Sequence, residues 1–270
     1  MTVATPGYSS ALVTGASSGI GEALARRLAA GGCDLVLVAR REDRLEKMAA
    51  ELRAEHSVTV QVLPADLTDP VQLASVERRA GDPGSPIDLL INNAAHTPQP
   101  IRPLSRQELA TEQEKIAVNV TALVRLTRAV LPGMEARGHG GVLNVSSFAS
   151  FLPQPNAAVY AATKAFVTSF SESVHSEAAR HGVHVTALAP GFTRRGDAVE
   201  RGGMTHRTMP EFLWLDRDEV ALTALAAVAR GDVLCVPGAP YQALALLARI
   251  APRSVVRWCF DLLWNSPRNR

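Results

Sequence analysis

Hydrophobic residues along this 270-residue chain fall into short unbroken runs, separated by longer stretches in which apolar positions recur every three to four residues. The runs at 10–15, 34–39, 58–63, 87–92, 141–146, 183–189 and 233–236 read as buried strands. The periodic stretches at 21–30, 44–55, 70–79, 115–135, 157–181 and 216–230 read as helices. The first strand, helix and strand occupy about thirty residues, the size of one βαβ unit, and the rhythm then repeats. Strands without polar alternation are covered on both faces, which predicts a doubly wound α/β domain around a parallel sheet. No Pro-, Gly- or Ser-rich linker and no internal repeat divides the chain. One domain is therefore expected over 1–240, with an extension over 241–270.

Composition narrows the classes. With 47% apolar and 20% charged residues the chain is an ordinary globular sequence, neither disordered nor collagen-like. A net charge of +2 argues against a nucleic-acid binder working through bulk charge. That balance is uneven, since 241–270 carries +4 and the preceding 240 residues −2. Cys33, Cys235 and Cys259 are far apart and form no C-x-x-C pair, so neither zinc nor a structural disulfide is expected, and a reducing compartment fits. His181 and His184 lack a partner at ligand spacing, and no metal site is expected. The first ten residues lack a basic region followed by an apolar run, and no uninterrupted apolar stretch of about 18 residues occurs. A cytoplasmic location is expected.

Candidate chemistry begins after the first strand, where Thr14-Gly-Ala-Ser-Ser-Gly-Ile-Gly21 opens into a helix. Glycines there let the backbone approach a pyrophosphate, whose charge is met by amides at the helix N-terminus. Dinucleotide sites that take NAD usually carry an acid about 20 residues further on. Here the position holds Arg40, followed by Arg41, and a guanidinium suits the 2′-phosphate of NADP(H). The competing reading, a solvated charge at a helix start, fits Arg41 better than Arg40. Tyr160 and Lys164 lie at i and i+4 on one helix face. A phenol titrates near pH 10, and an ammonium one turn away favours the phenolate. Ser147 follows a strand, at the carboxyl edge where open α/β sheets bind ligands. The chain has only three lysines and three tyrosines, which makes a chance Tyr-x-x-x-Lys less credible.

Over about residues 10–240 the chain resembles the short-chain dehydrogenase/reductase superfamily. The resemblance is carried by Thr14 to Gly21, Asp66-Leu67, Asn92-Asn93-Ala94, Asn119, Asn144-Val-Ser-Ser147, Tyr160 to Lys164 and Pro190-Gly191. It implies a Rossmann-type doubly wound sheet and a catalytic set of Asn119, Ser147, Tyr160 and Lys164. Ser147 would hold the substrate oxygen and Tyr160 exchange its proton. Lys164 would bind the nicotinamide ribose, and Asn119 would position a water in the proton relay. NADP(H) would lie against Gly15, Ser17, Ser18, Gly19, Ile20 and Gly21, with Arg40 at its 2′-phosphate. Asp66 and Leu67 would meet the adenine, Asn92 and Ala94 the adenosine ribose, and Pro190, Gly191 and Thr193 the nicotinamide. The long helices at 115–135 and 157–181 would form the interface of a homodimer or homotetramer. Two positions depart from the family pattern. Ala95 replaces a common glycine, and Arg195 stands where many relatives have a carboxamide-holding threonine, a role left either to Thr193 or to backbone groups.

The substrate side is less legible. Residues 193–211 read as a lid rich in Gly, Arg and Met, and Phe212 and Trp214 read either as pocket lining or as core. His96 borders the expected cleft, and Arg194 is either solvated or aimed at an anionic head group. From Arg253 the tail reads as a cationic amphipathic helix bearing Trp258 and Trp264, suited to peripheral contact with the inner membrane face or to packing on a subunit or the pocket. The tail loosely resembles bacterial reductases of long-chain 3-oxoacyl lipids, which implies a small-molecule or lipid-linked carbonyl as substrate. Alternatives are an oxidative sterol or secondary-alcohol dehydrogenase, and a non-catalytic NADP(H)-binding regulator.

Overall fold

A computed structural model describes residues 7–97, 102–194 and 210–257. Seven strands alternate with helices: β1 (Ser10–Thr14), α1 (Gly19–Ala30), β2 (Asp34–Ala39), α2 (Glu42–His56), β3 (Val60–Pro64), α3 (Pro70–Ala80) and β4 (Leu89–Asn92) form the first half. The second half holds α4 (Leu109–Ile116), a π-helical segment Ala117–Ala122, α5 (Leu123–Arg137), β5 (Gly140–Val145), α6 (Ala158–Ala178), β6 (Val183–Leu188), α7 (Arg217–Arg230), β7 (Leu234–Cys235) and α8 (Ala239–Ile250). All pairings are parallel, in the order β3-β2-β1-β4-β5-β6-β7. The chain reverses its direction of winding between β1 and β4, which opens a crevice at the carboxyl ends of those strands.

Alternate strand residues feed two cores, as the period of two requires. Val13, Leu37 and Ile91 pack with Leu24, Leu45, Met48 and Val228 from α1, α2 and α7. Leu12, Val36 and Leu90 pack with Leu73, Leu126, Val130 and Val174 from α3, α5 and α6. Local signals set the helix ends. Asp69 caps α3 by accepting from the Val71 and Gln72 amides, with Pro70 at the first helical position. Asp216 caps α7 in the same way.

The long helix over 109–137 is the one described helix with the length and hydropathy of a membrane span. Its Leu123, Leu126, Val130 and Met134 are buried, and Arg125 forms an ion pair with Glu77 of α3, so it is a core helix of one sheet face. Two elements differ from the sequence expectation. The helix predicted from 115 begins at Leu109, because Glu112 and Lys115, polar in the pattern, are buried as an ion pair. The extension predicted to start at 241 is already helical from Ala239, on Pro240 in the first turn, and ends before Pro252. Residues 253–257 are helical again, while Trp258, Cys259 and Trp264 lie outside the described residues, as does Arg195.

Candidate active site

The glycine turn is fixed from below by β4. The Thr14 hydroxyl donates to the Ile91 carbonyl (3.1 Å) and accepts from the Asn93 and Ala94 amides (3.0 Å each). Asn93 in turn donates its carboxamide to the Thr14 and Gly15 carbonyls (3.0 and 3.1 Å). A side chain at Gly15 or Gly21 would collide with that carboxamide. Gly19 has φ +63° and open space where a Cβ would stand. Ser18, at the N-cap of α1, makes no side-chain cap bond, so the first-turn amides keep their donors for an anion. That combination fits the pyrophosphate of a dinucleotide.

Two arginines flank the turn at the end of β2. Arg40 is 70% exposed at its side chain and lies 3.9 Å from the Asp66 carboxylate. Arg41 reaches across to the Ser17 hydroxyl (2.9 Å). Both side chains are exposed, Arg40 facing Asp66 and Arg41 the glycine turn, so either is placed to meet a 2′-phosphate. Partial burial works against the charge of Asp66. Hydrogen bonds from the Thr68 amide and hydroxyl, with Arg40 nearby, outweigh it and hold the carboxyl below its ordinary value. Asn92 is buried and directs its carboxamide inward, to Thr127 (3.0 Å) and Asn144 (2.9 Å), while Asn144 donates to Ser171 (3.0 Å). This network joins β4, β5, α5 and α6 beneath the crevice. In the sequence its only signal is polar residues at the ends of apolar runs.

Ser147 follows β5 and begins a 3₁₀ turn, Phe148–Phe151, its hydroxyl accepting from the Ala149 amide (3.1 Å). Lys164 on α6 is 3% exposed and donates from Nζ to the Val145 carbonyl (2.8 Å), two residues before Ser147. Its ammonium stands 5.8 Å from the centroid of the Tyr160 ring. Burial pushes it down to about 8. Ser146 seals the junction by donating to the Lys164 carbonyl (2.8 Å) and sharing a hydrogen with Thr168 (2.8 Å). The end of β5 and the helix carrying Tyr160 and Lys164 are thereby locked together.

Asn119 lies in the π-helical segment, a distortion that concentrates at functional sites. Its carboxamide accepts from the His96 amide (2.8 Å) and donates to the His96 carbonyl (3.2 Å) and Thr163 hydroxyl (3.1 Å). Thr163 passes the constraint to the Tyr160 carbonyl (2.8 Å). His96 therefore contributes its backbone to this corner.

Beyond β6, the Pro190 carbonyl accepts from the Phe148 amide (2.9 Å), and Thr193 turns its hydroxyl back on the Gly191 carbonyl (3.2 Å). Thr193 also bridges to Leu215, and Trp214 tilts against Phe192 with centroids 5.7 Å apart. Phe212 is exposed, and Arg194 pairs with Glu211. Sequence reasoning missed Tyr241 in this loop. Its hydroxyl meets the Phe192 amide (3.0 Å) and the Leu213 carbonyl (2.7 Å).

Comparison with known proteins agrees with this geometry. The family described as short chain dehydrogenase matches residues 9–201. A very-long-chain 3-oxoacyl-CoA reductase from Anas platyrhynchos is 35% identical over 182 residues, 67% of this chain but only 58% of the duck protein. A short-chain dehydrogenase from Sphingobium yanoikuyae, solved in complex with NADPH, superposes with a TM-score of 0.79 at 38% identity, covering 89% of this chain and 93% of that one. A bulky-bulky ketone specific alcohol dehydrogenase from Comamonas testosteroni superposes with a TM-score of 0.77 at 35% identity, covering 89% and 91%. With its parallel sheet, its glycine turn and its Ser147, Tyr160 and Lys164 at the carboxyl edge, the chain belongs to the short-chain dehydrogenase family of oxidoreductases.

Proposed function

We propose that this protein is an NADP(H)-dependent ketoreductase in which Tyr160 is the proton donor. The observation that carries the reading is the buried Lys164 ammonium, held by the Val145 carbonyl one helical turn from Tyr160 and beside the strand end that bears Ser147. Bound nicotinamide would supply the hydride to the carbonyl carbon. Tyr160 gives its phenolic proton to the ketone oxygen as that oxygen gains charge, and the Ser147 hydroxyl donates a second hydrogen bond to it. Lys164 stabilises the phenolate left behind and offers its remaining donors to the ribose. Asn119 steadies Tyr160 through Thr163. Both its amide hydrogens already serve His96 and Thr163, so a relay water would meet its carbonyl oxygen. Gly15 to Gly21 would cradle the pyrophosphate, with Asp66, Leu67 and Ala94 around the adenosine half. Arg40 and Arg41 would hold the 2′-phosphate, a choice supported by the NADPH bound to the Sphingobium structure.

Phe148 packs on Phe151 in the turn that follows Ser147, and Phe192 on Trp214 in the loop after β6, two aromatic pairs that we take as walls of the substrate side. Bulky apolar substituents on the ketone fit such walls, as do the names of the 3-oxoacyl-CoA and bulky-ketone relatives. The preferred substrate is a 3-oxo group on a long acyl chain. NADPH oxidation should therefore rise along a 3-oxoacyl chain-length series and exceed that with small aldehydes. Tyr160→Phe should lower kcat by about 10² to 10⁴ with NADPH affinity retained. Near-wild-type kcat in that variant, or activity confined to small aldehydes, would defeat the respective half of the proposal.

We also infer a peripheral membrane contact through α8. Leu244, Leu246, Leu247 and Ile250 are exposed on it, and Arg249, Arg253 and Arg257 follow with no acidic residue between 239 and 257. Apolar surface framed by arginines suits an anionic bilayer. The full chain should sediment with phosphatidylserine vesicles, and Leu247→Ser with Ile250→Ser should release it. Wild type left in the supernatant as a dimer would instead assign α8 to a second copy. The other apolar face, Leu109, Ile116 and Phe166 on the long helices, supports a homo-oligomer.

A further inference from the structure

Tyr241 is one of three tyrosines, and it lies on the helix that the sequence placed outside the catalytic domain. It is 3% exposed. Its ring lies against Gly191 so closely that a Cβ there would sit inside it. It also packs edge-on to Phe148, the residue after Ser147, with centroids 5.1 Å apart. Its hydroxyl accepts from the Phe192 amide and donates to the Leu213 carbonyl. Burial raises this phenol, so it keeps the proton that the second bond requires. Four segments therefore converge on one side chain: the loop after β6, the turn after β5, the 3₁₀ turn Glu211–Leu213 that precedes α7, and α8.

We propose that Tyr241 is a positioning residue that fixes the Pro190–Thr193 loop against the Ser147 turn and so sets where the nicotinamide end of the cofactor rests. The inference rests on the ketoreductase reading above, because that reading puts the nicotinamide at this loop. The geometry separates it from a general packing role. Both hydroxyl partners and both ring contacts belong to segments around the nicotinamide end, and none belongs to the glycine turn or to the Arg40–Arg41 corner. The part-buried Phe192 amide and Leu213 carbonyl are tied to each other through this hydroxyl, so its removal leaves the two segments freer to shift relative to one another. Gly191 serves the same contact from the other side, since any side chain there would drive the ring away.

The test compares two ligands that share the adenosine end. NADPH reaches both halves of the crevice, whereas 2′,5′-ADP carries the 2′-phosphate and adenine but no nicotinamide. Dissociation constants for both are measured by fluorescence and calorimetry on wild type and Tyr241→Phe, with a thermal melt of each protein. Tyr241→Phe should weaken NADPH about tenfold, equivalent to ~1.4 kcal/mol, and raise the KM for NADPH, with 2′,5′-ADP within about twofold of wild type. Equal weakening of both ligands would make Tyr241 a general stability residue and overturn the proposal, as would no change in either. Should Tyr241→Phe fail to fold, Phe148→Leu loosens the same junction with the hydroxyl bonds intact, and the same split between ligands is expected. Wild type that binds 2′,5′-ADP but not NADPH would strike the cofactor reading itself, a result distinct from any behaviour of the variants.

Discussion

Lys164→Met separates what this lysine does for the reaction from what it does for the fold. Burial pushes the ammonium down to about 8 from an ordinary 10.5. The unfolded chain therefore binds this proton more tightly than the folded one. Below pH 8 the folded protein bears the whole cost of keeping the charge buried, about 3 kcal/mol at 1.36 kcal/mol per unit. The cost fades as pH rises from 8 towards 10.5, because the folded lysine loses its proton first. Methionine has nearly the same shape without the charge, but it leaves the Val145 carbonyl without its donor, a loss of about 1–2 kcal/mol. The variant should thus be more stable than wild type by about 1–2 kcal/mol at pH 7, while reductase activity collapses. Urea unfolding of the ligand-free proteins at pH 7 and pH 9 measures both terms. The stability difference should shrink by about 1 kcal/mol between the two pH values, whatever the lost hydrogen bond costs. A variant less stable than wild type by the same margin at both would refute the argument that the site holds its ammonium against the fold. The same titration predicts that kcat/KM for reduction declines as pH rises through about 8.

Two further outcomes bear on the cofactor cleft. Arg41→Ala should lower the NADPH-to-NADH ratio of kcat/KM at least as much as Arg40→Ala, because Arg41 is the arginine anchored to Ser17; an unchanged ratio would return the role to Arg40 alone. Gly21→Ala should destabilise the protein by about 1–3 kcal/mol, since the added methyl meets the Asn93 carboxamide and the Gly15 carbonyl, and a wild-type denaturation midpoint would show that the turn can relax.

Every strand and most helices could be read from the sequence, because a parallel sheet buried on both faces leaves unbroken apolar runs and its covering helices leave amphipathic ones. Seven strands are expected and seven form among the described residues, with boundaries within a few residues. The reading failed where polar groups are buried in pairs. Glu112 and Lys115 look like a solvent face, yet they lie inside, with Gln107 bonded to the Lys115 ammonium (3.2 Å) and to the Asn156 carbonyl (3.1 Å) just before α6. Their i, i+3 spacing is visible in the sequence, but a hydrophobicity pattern scores both as polar and does not show that the pair is buried with Gln107. Asn92 is a related case. Its motif names a cofactor neighbour, but its carboxamide serves Thr127 and Asn144, and nothing in one dimension separates these roles.

The scarcity of lysine and tyrosine points to more than the pair at 160 and 164. Lys164 and Tyr160 stood out because spacing put them on one helix face, the one geometric relation that a sequence displays directly. Lys115 and Tyr241 belong to the same small sets and are buried, Lys115 beside Glu112 of its own helix and Tyr241 against segments distant in the chain. Tyr241 lies 49 residues from the Phe192 amide it accepts from and 28 from the Leu213 carbonyl it donates to. Charge and the prolines divide the chain near that point, so the sequence pattern places its helix in a tail. The division is real for α8's outer face, where leucines and arginines meet solvent. It does not hold for the inner face, where the first turn of α8 packs on the turn after β5 and the loop after β6. One helix therefore belongs to the catalytic domain on one side and to an external surface on the other. A boundary drawn between two residues cannot represent that; it would have to run along the helix axis.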